Sequence, residues 1–350
     1  MHGDRLALLP RELPTSLLRA VVLARAGRTT AALAAVDALR EAGEVAADPT
    51  ARALLLATAV DCRLARGDLG EAMALGDELT AHLHPAEPGA VAAGDPRAAA
   101  LAEHAHGELA AALQEPERAL QHFTRAGRLL AGAGADTGLV HWRTGAAMAA
   151  VRLGHRAEAA RLAREQLELV TPGGSPYAIA LALRTLAATS AGHDSLSLLR
   201  RARATLAGRP VGRLAAQVDT DLAGLLLLTG PGSGSTAAEE ALLLLRGAEE
   251  YAAREELWPL QGRVRRLLER LGAGARPTHA ELLALLTGTE QRVARLAAEG
   301  LTNREIGQRL DVGVKAVEWH LSRVYRKLGI SSRTRLAAAL GVPSRPPPRL

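Results

Sequence analysis

Small and aliphatic residues recur at spacings of three and four along most of this 350-residue chain, which is the spacing that gives an α-helix one apolar side. No run of alternating Val, Ile and Thr reaches the length of a strand. The hydrophobic pattern therefore predicts an all-α protein, in which short polar or Gly-containing breaks separate the helices.

The breaks within residues 1–271 are regularly spaced. They recur at intervals of about forty residues, and an Ala-rich segment follows each of them. The pattern resembles degenerate tetratricopeptide repeats, with a period longer than the roughly 34 residues of the standard repeat. We expect a tetratricopeptide-like helical array with a sensor or interaction role, and an irregular helical bundle is the alternative. The breaks are Gly27-Arg28, Gly67-Asp68, Glu115-Pro116 and Gly154-His155.

Clusters of Pro and Gly indicate loops, because both residues interrupt helices. Within the array we predict loops at 85–96, 171–176 and 231–235. Beyond it, the sequence predicts a linker at 272–278, a second domain at 279–342 and a disordered tail at 343–350.

From Leu286 to Gly341 the pattern changes to four short helical segments. Two of them open with Thr followed three positions later by Glu, which is the pattern of a capping box. In that motif the hydroxyl and the carboxylate each bond the other residue's backbone N–H. The pairs are Thr287 with Glu290 and Thr302 with Glu305.

Short glycine-containing turns separate these segments. Gly300 follows the first segment, where a residue without a Cβ can adopt the left-handed backbone that ends a helix. Asp311-Val312-Gly313 then forms a three-residue turn between the second and third segments. A turn of this kind sets one helix across another in a helix-turn-helix motif.

The segment 314–328 is amphipathic when it is projected at about 100° per residue. Val317, Leu321, Val324 and Leu328 form one apolar stripe. The opposite side of the helix presents two cations, an indole and a hydroxyl. A carboxylate and a third cation lie at the flanks of that side. These outward residues are Lys315, Trp319, Ser322 and Arg326, with Glu318 and Arg323 at the flanks.

The basic excess of the chain is concentrated in this region. Residues 286–350 carry twelve Lys and Arg against five Asp and Glu, a net charge of +7, whereas the whole chain has +6. Both lysines, Lys315 and Lys327, lie in the amphipathic segment 314–328. A basic patch confined to one small domain is the electrostatic pattern expected for binding a polyanion.

The outward residues carry the chemistry for contacting DNA. Arg and Lys can neutralise phosphates or bond guanine, and Glu can accept from the cytosine amino group. A solvated face on an ordinary helix is the alternative, but an exposed Trp319 at its centre argues against it, since a large aromatic is costly to leave in water.

The whole module resembles the LuxR-type helix-turn-helix. It departs from the family pattern at several positions, one of which is Gly307, where Ala is usual. Gly inside a helix should cost about 1 kcal/mol of stability relative to Ala. Other departures are Gly288, Thr289, Gly313 and Ala316. The resemblance is carried by Leu286-Thr287, Glu290, Val293, Ala297, Glu299-Gly300, Thr302-Asn303, Glu305-Ile306, Leu310, Val317, His320 and Lys327-Leu328-Gly329.

The resemblance implies a four-helix domain whose third helix enters the major groove and whose fourth helix, from about Ser332 to Leu340, pairs two protomers. By the same resemblance, the Thr302-Asn303 turn touches phosphate. Helical projection, in contrast, places His320 at the edge of the apolar stripe, where a packing or orienting role is favoured over a direct contact. The residues implied to face base edges are Glu318, Trp319 and Ser322, and those implied to bind the backbone are Lys315, Arg323 and Lys327. Ala316, Val317 and Arg326 complete the predicted DNA-binding set.

The array from about Arg152 onward also resembles the carboxyl-terminal half of the large ATP-binding LuxR-type regulators. Those proteins carry a nucleotide-binding domain ahead of the array. This sequence has no Gly-rich loop ending in Gly-Lys-Ser/Thr and no lysine before Lys315, so we expect no ATPase and no nucleotide cofactor.

The sequence contains no convincing pattern for a metal site or a catalytic site. His82 with His84 and His104 with His106 are not metal pairs by pattern, because residues two apart on a helix point in different directions. Cys62 is the single cysteine, and no apolar run approaches the ~20 residues of a membrane span. We expect a cytoplasmic protein that is not an enzyme and has no metal site, cofactor or membrane association.

These observations favour a DNA-binding transcriptional regulator. In this hypothesis the helical array receives a small-molecule or protein signal, and the terminal module binds the major groove of double-stranded DNA as a homodimer. The alternative is a helical-repeat interaction scaffold whose terminal module keeps its fold but no longer reads specific DNA.

Overall fold

The computed structural model of the chain consists of helices joined by short connections. Among the residues that it describes there are sixteen helices and no strand. The described residues are 13–43, 45, 48–83, 95–132, 140–190, 193–209, 211–229, 236–273 and 286–328, with Ile330, Arg333, Leu336 and Leu340.

The chain divides into two compact units, Met1–Ala273 and Gly274–Leu350. The predicted fold class, a tetratricopeptide-like all-α array followed by a helix-turn-helix module, is confirmed. The helices of the first unit are α1 (Thr15–Arg25), α2 (Thr29–Ala42), α3 (Pro49–Arg66), α4 (Leu69–Leu83), α5 (Pro96–Ala112), α6 (Pro116–Gly132), α7 (Trp142–Arg152), α8 (Arg156–Val170), α9 (Pro176–Thr189), α10 (His193–Leu206), α11 (Gly212–Thr229), α12 (Thr236–Arg254) and α13 (Trp258–Arg270). The second unit contains α14 (Gly288–Ala298), α15 (Asn303–Leu310) and α16 (Val314–Leu328).

All four predicted breaks separate helices that pack on each other. Gly27, Gly67 and Gly154 have φ values of 76°, 86° and 78°, which an L side chain adopts only with strain. At the fourth break, Pro116 begins α6, and Gln114 adopts the left-handed conformation with a φ of 63°. The predicted loop at 231–235, the tail at 343–350 and most of the loop at 85–96 and of the linker lie outside the described residues.

Glycines allow the central helices of the array to approach closely around the few large aromatics. The Phe123 ring of α6 is buried between α5 and α7. A Cβ at Gly107 of α5 would lie 2.7 Å from that ring, and one at Gly145 of α7 would lie 2.5 Å from it. The same relation holds between Gly127 and Trp142, where the distance would be 2.5 Å. At these positions glycine serves packing rather than backbone turning.

The first helices of the array are bonded to the last ones, so the array closes on itself. The Tyr251 hydroxyl of α12 donates to the Gly27 carbonyl, and the half-buried Arg213 guanidinium of α11 bonds Asp61 of α3 at 2.6 Å. Two further bonds join the same ends: Gly212 N to Ala26 O at 3.1 Å and Arg66 to Glu256 at 2.9 Å. The repeat pattern predicted stacked helices but did not predict this closure.

The second unit has its own apolar core. Its most buried side chains have no exposed surface and are Val293, Ile306, Val317, Val324 and Leu336. The first four come from α14, α15 and α16, and Leu336 lies in the segment after α16. A core of this kind allows a small domain to fold independently of the chain that precedes it.

We expect residues 279–350, expressed alone, to be helical and to melt cooperatively. Circular dichroism of this fragment, with thermal melting, makes the measurement. Residues 286–350 serve as the control for the start of the domain, since the described core begins at Leu286. A fragment 279–350 without helical signal would show that the boundary is misplaced.

No helix among the described residues is both long and apolar enough to cross a membrane. In the same part of the chain, no group of three or more His, Cys, Asp or Glu side chains is arranged to hold a metal ion.

Candidate nucleic-acid interface

Both predicted capping boxes are confirmed, and they fix where α14 and α15 begin. At α14 the Thr287 N–H donates to the Glu290 carboxylate at 2.8 Å, and the Glu290 N–H donates to the Thr287 hydroxyl at 3.4 Å. At α15 the corresponding distances between Thr302 and Glu305 are 2.6 and 3.3 Å. These bonds satisfy donors that the first turn of each helix would otherwise leave free.

The turns on either side of α15 are also built locally. Gly300 follows α14 with a φ of 94°, as predicted. In the turn between α15 and α16 the left-handed residue is Asp311, with a φ of 54°, and the Val312 N–H donates to the Gly307 carbonyl at 2.9 Å.

The structure reverses the expected effect of Gly307. From the sequence, Gly at this position inside a helix was expected to make the helix less stable than Ala would. A Cβ at this position would lie 2.7 Å from the carbonyl oxygen of Val312, so Ala would displace the turn. Gly307 therefore lets the turn pack directly against α15.

The orientation predicted for α16 is confirmed. Val317, Leu321 and Val324 are buried in the core of the unit, and Leu328 is partly buried beside them. Five of the six predicted outward residues are exposed, namely Lys315, Glu318, Trp319, Ser322 and Arg326. The sixth, Arg323, is half-buried. The sequence pattern thus distinguishes the two faces of this helix correctly.

Val317 needs a correction as a site residue. Its side chain has no exposed surface, so it has none to offer to a base, and we remove it from the DNA-contacting set. Ala316 is half-buried at the edge of the outward face.

Glu290 has a second role that the sequence did not reveal. Its carboxylate is buried, with 2% of the side-chain surface exposed, and it pairs with two cations of α16. Arg323 Nε lies 3.1 Å from one oxygen and Lys327 Nζ lies 2.6 Å from the other. The bond from Lys327 and the bond from the Thr287 backbone lower the pKa of Glu290 to about 2. Two of the predicted phosphate-binding cations therefore also hold α16 against α14.

Trp319 is prominent on the outward face, with 55% of its surface exposed. Its ring meets the His320 ring edge-on at a centroid distance of 4.9 Å, and the Arg323 guanidinium carbon lies 4.6 Å from the indole centroid. Cation–π stacking of this kind limits the freedom of both side chains. The indole is therefore oriented before any partner binds.

His320 Nδ1 is buried and has no hydrogen-bond partner among the described residues. Together with the ring contact to Trp319, this agrees with a packing or orienting position rather than one on the open face.

The Thr302-Asn303 turn is bonded within the domain. The Thr302 hydroxyl bonds the Glu305 carboxylate at 2.8 Å, and Asn303 Oδ1 accepts from Arg333 at 3.0 Å. Arg333 also donates to the carbonyls of Ala297, at 3.1 Å, and Leu301. Sequence reasoning missed Arg333, because its three acceptors are 30 to 36 positions away in the chain.

Comparison with known proteins matches this unit to one family. Residues 284–340 match the family described as bacterial regulatory proteins, luxR family. A transcriptional regulator of the HTH type from Mycobacterium bovis is 46% identical over 76 residues, which are 21% of this chain and 9% of that protein. The transcriptional regulatory protein LiaR of Bacillus subtilis is 37% identical over 76 residues, or 22% of this chain and 34% of LiaR. The chain thus carries a LuxR-family helix-turn-helix domain at its carboxyl-terminal end.

The tetrathionate response regulatory protein TtrR of Salmonella typhimurium is 32% identical over 114 residues, which are 32% of this chain and 54% of TtrR. The chain therefore spans less than a tenth of the mycobacterial relative and about half of TtrR. A structure of the human IFIT1 dimer with m7Gppp-AAAA aligns with 95% of this chain and 82% of its own, at 12% identity and a TM-score of 0.38.

Proposed function

We propose that this protein is a sequence-specific DNA-binding transcriptional regulator. The observation that carries the proposal is the outward face of α16, where exposed cations, a carboxylate, a hydroxyl and an oriented indole lie on one side of a helix. A helix of this kind fits the major groove and can both bind phosphates and read base edges.

We assign the exposed residues to two tasks. Glu318, Trp319 and Ser322 face base edges, and Lys315 and Arg326 bind phosphates. Arg323 and Lys327 bind the backbone at the flank while remaining bonded to Glu290. Thr302 and Asn303 contact phosphate through the start of α15, where helix N–H groups favour an anion.

The regulator acts as a homodimer on DNA in this proposal. The predicted pairing helix, from Ser332 to Leu340, lies largely outside the described residues, so the resemblance alone supports its role. A two-fold dimer of helix-turn-helix domains reads half-sites about one helical turn apart. The helical array receives a small-molecule or protein signal.

Fluorescence anisotropy of the full chain with genomic and random DNA fragments tests the proposal. A regulator selects a subset of genomic fragments over random duplex by a factor of about 10³ or more. Equal affinity for both would favour the interaction scaffold with a module that no longer reads DNA.

The two lysines of α16 should differ in what they contribute. Lys315 is exposed, so Lys315→Ala should lower the slope of log affinity against log salt by about 0.9 and leave stability unchanged. Lys327 is half-buried and bonded to Glu290. Lys327→Ala should therefore also destabilise the module.

Salt titrations at constant pH and thermal melting, carried out on both variants, make this comparison. Arg19→Ala is the control, since Arg19 is exposed on α1 and its loss changes the net charge equally. A slope that stays at the wild-type value in Lys315→Ala would remove Lys315 from the phosphate-binding set.

A further inference from the structure

Arg333 connects three parts of the second unit through one side chain. It lies in the segment after α16 and is half-buried. Its guanidinium donates to the Ala297 carbonyl at 3.1 Å, to the Leu301 carbonyl and to Asn303 Oδ1 at 3.0 Å. Ala297 belongs to the last turn of α14, and Asn303 is the first residue of α15. Because the planar guanidinium holds its donors in a fixed geometry, it fixes the end of one helix against the start of the next.

The bond from Arg333 determines which way the Asn303 amide points. A guanidinium group has donors and no acceptor, so the amide atom that faces it is the oxygen. The amide nitrogen, Nδ2, is therefore turned away from Arg333, and it has no acceptor among the described residues. Its two N–H groups can donate to an external acceptor at the start of α15.

Thr302, the neighbour of Asn303, has no side-chain donor left for such an acceptor. Its hydroxyl donates to the Glu305 carboxylate at 2.8 Å, and its backbone N–H donates to the same oxygen at 2.6 Å. The backbone N–H groups of Asn303 and Arg304 find no acceptor within the described part of the chain, as is usual in the first turn of a helix. The Asn303 amide is therefore the side-chain donor that the Thr302-Asn303 turn offers to a phosphate.

The charge of Arg333 also favours an anion at this turn. Its three acceptors are two carbonyls and one amide oxygen, so none of them neutralises it. The nearest assigned negative charge is that of Glu305, whose pKa is lowered by the bonds from Thr302 and by the charge of Arg333. The guanidinium thus offsets the negative charge that Glu305 places at the start of α15.

We propose that Arg333 is a positioning residue for DNA binding. It does not touch the duplex, but it holds the Asn303 amide so that Nδ2 donates to a phosphate. The inference rests on the proposed binding of DNA by the module, and it does not require sequence specificity. A module that binds every duplex equally would lose the proposed function and still use Arg333 in this way.

A double-mutant cycle on the full chain tests this role, with affinity for a random duplex measured at about 50 mM salt, where sequence-independent binding is strong. Arg333→Lys keeps the charge but replaces the fork with one ammonium group, so the hold on Asn303 is lost. Arg333→Lys and Asn303→Ala should each weaken binding about tenfold, since a hydrogen bond to a charged group is lost. The double variant should bind no more weakly than Asn303→Ala alone. Arg295→Lys, at an exposed position of α14, is the control and should bind as the wild type does.

A purely structural role for Arg333 predicts a different result. Lower stability, or weaker pairing of protomers through the segment that contains Arg333, would reduce affinity by the same factor with or without the Asn303 amide. Equal fold losses from Arg333→Lys in the two backgrounds would overturn the proposal. The comparison of genomic with random fragments, made on the wild type, tests the proposed function separately, so either can fail while the other stands.

Circular dichroism verifies that each variant is folded. If Arg333→Lys is not, Asn303→Asp decides the question. Its carboxylate can still accept from Arg333, so the melting temperature should not fall. It has no N–H to donate and its charge repels a phosphate, so affinity for the random duplex should fall about tenfold or more. Affinity at the wild-type value in folded Asn303→Asp would contradict the proposal, because the amide would then have no phosphate to bind.

Discussion

Replacing Glu290 with Ala should destabilise the DNA-binding module by about 2–3 kcal/mol, through loss of a helix cap and of charge-assisted hydrogen bonds. The carboxylate is buried and accepts bonds from Thr287, Arg323 and Lys327. The loss should be smaller than for a fully buried ion pair, because the Arg323 and Lys327 side chains are 37% and 29% exposed and can turn to water.

Hydrogen exchange of the amides in residues 286–328 of the full chain measures this effect without interference from the array. Glu305→Ala is the matched control. It removes the carboxylate of the other capping box, but Glu305 is exposed and has no ion pair among the described residues. We expect the control to cost less than Glu290→Ala, because it removes a helix cap and no buried ion pair. Equal losses in the two variants would show that the Glu290 ion pairs contribute nothing to stability.

The contribution of Glu290 to the stability of the module should decrease as the pH falls. Its pKa is lowered from 4.5 to about 2 in the folded module. A group whose pKa is lower in the folded state stabilises that state above its unfolded pKa and loses this effect as the pH falls. The stability difference between wild type and Glu290→Ala should be constant above about pH 5 and shrink as the pH falls from 4.5 toward 2. A difference that grows on acidification would contradict the assigned ion pairs.

The sequence predicted those features of the module that depend on neighbouring residues. The Thr287–Glu290 and Thr302–Glu305 caps span three positions, so their pattern is visible in the chain. The buried stripe of α16 follows from helical periodicity in the same way. The pairs from Glu290 to Arg323 and Lys327 span 33 and 37 positions, and a Glu in a capping box gives no sign of a second partner.

In the array, too, contacts between residues far apart in the chain could not be predicted from the sequence. The breaks at Gly27, Gly67 and Gly154 were predictable, because left-handed turns select glycine. The closure of the array was not, since Arg213 and Asp61 are 152 positions apart and nothing near either residue indicates the other.

Replacing Trp319 with Ala should change sequence preference more than stability. The indole is 55% exposed, and among the described residues it meets the edge of the His320 ring and stacks with the Arg323 guanidinium. Loss of these contacts should move the melting temperature little. On the preferred DNA site the variant should lose about 1–3 kcal/mol, with little change on random DNA.

Trp258→Ala supplies the matched control, because Trp258 is 50% exposed on α13 of the array. It removes an indole of similar exposure from a surface that we do not assign to DNA, so it should leave the ratio of specific to random affinity at the wild-type value. Measuring that ratio and the melting temperature on both variants distinguishes a base-reading indole from a structural one. If Trp319→Ala lowers the melting temperature and reduces affinity equally on every sequence, the indole supports the module rather than reading DNA. Base selection would then rest on Glu318 and Ser322, the other two exposed residues assigned to base edges.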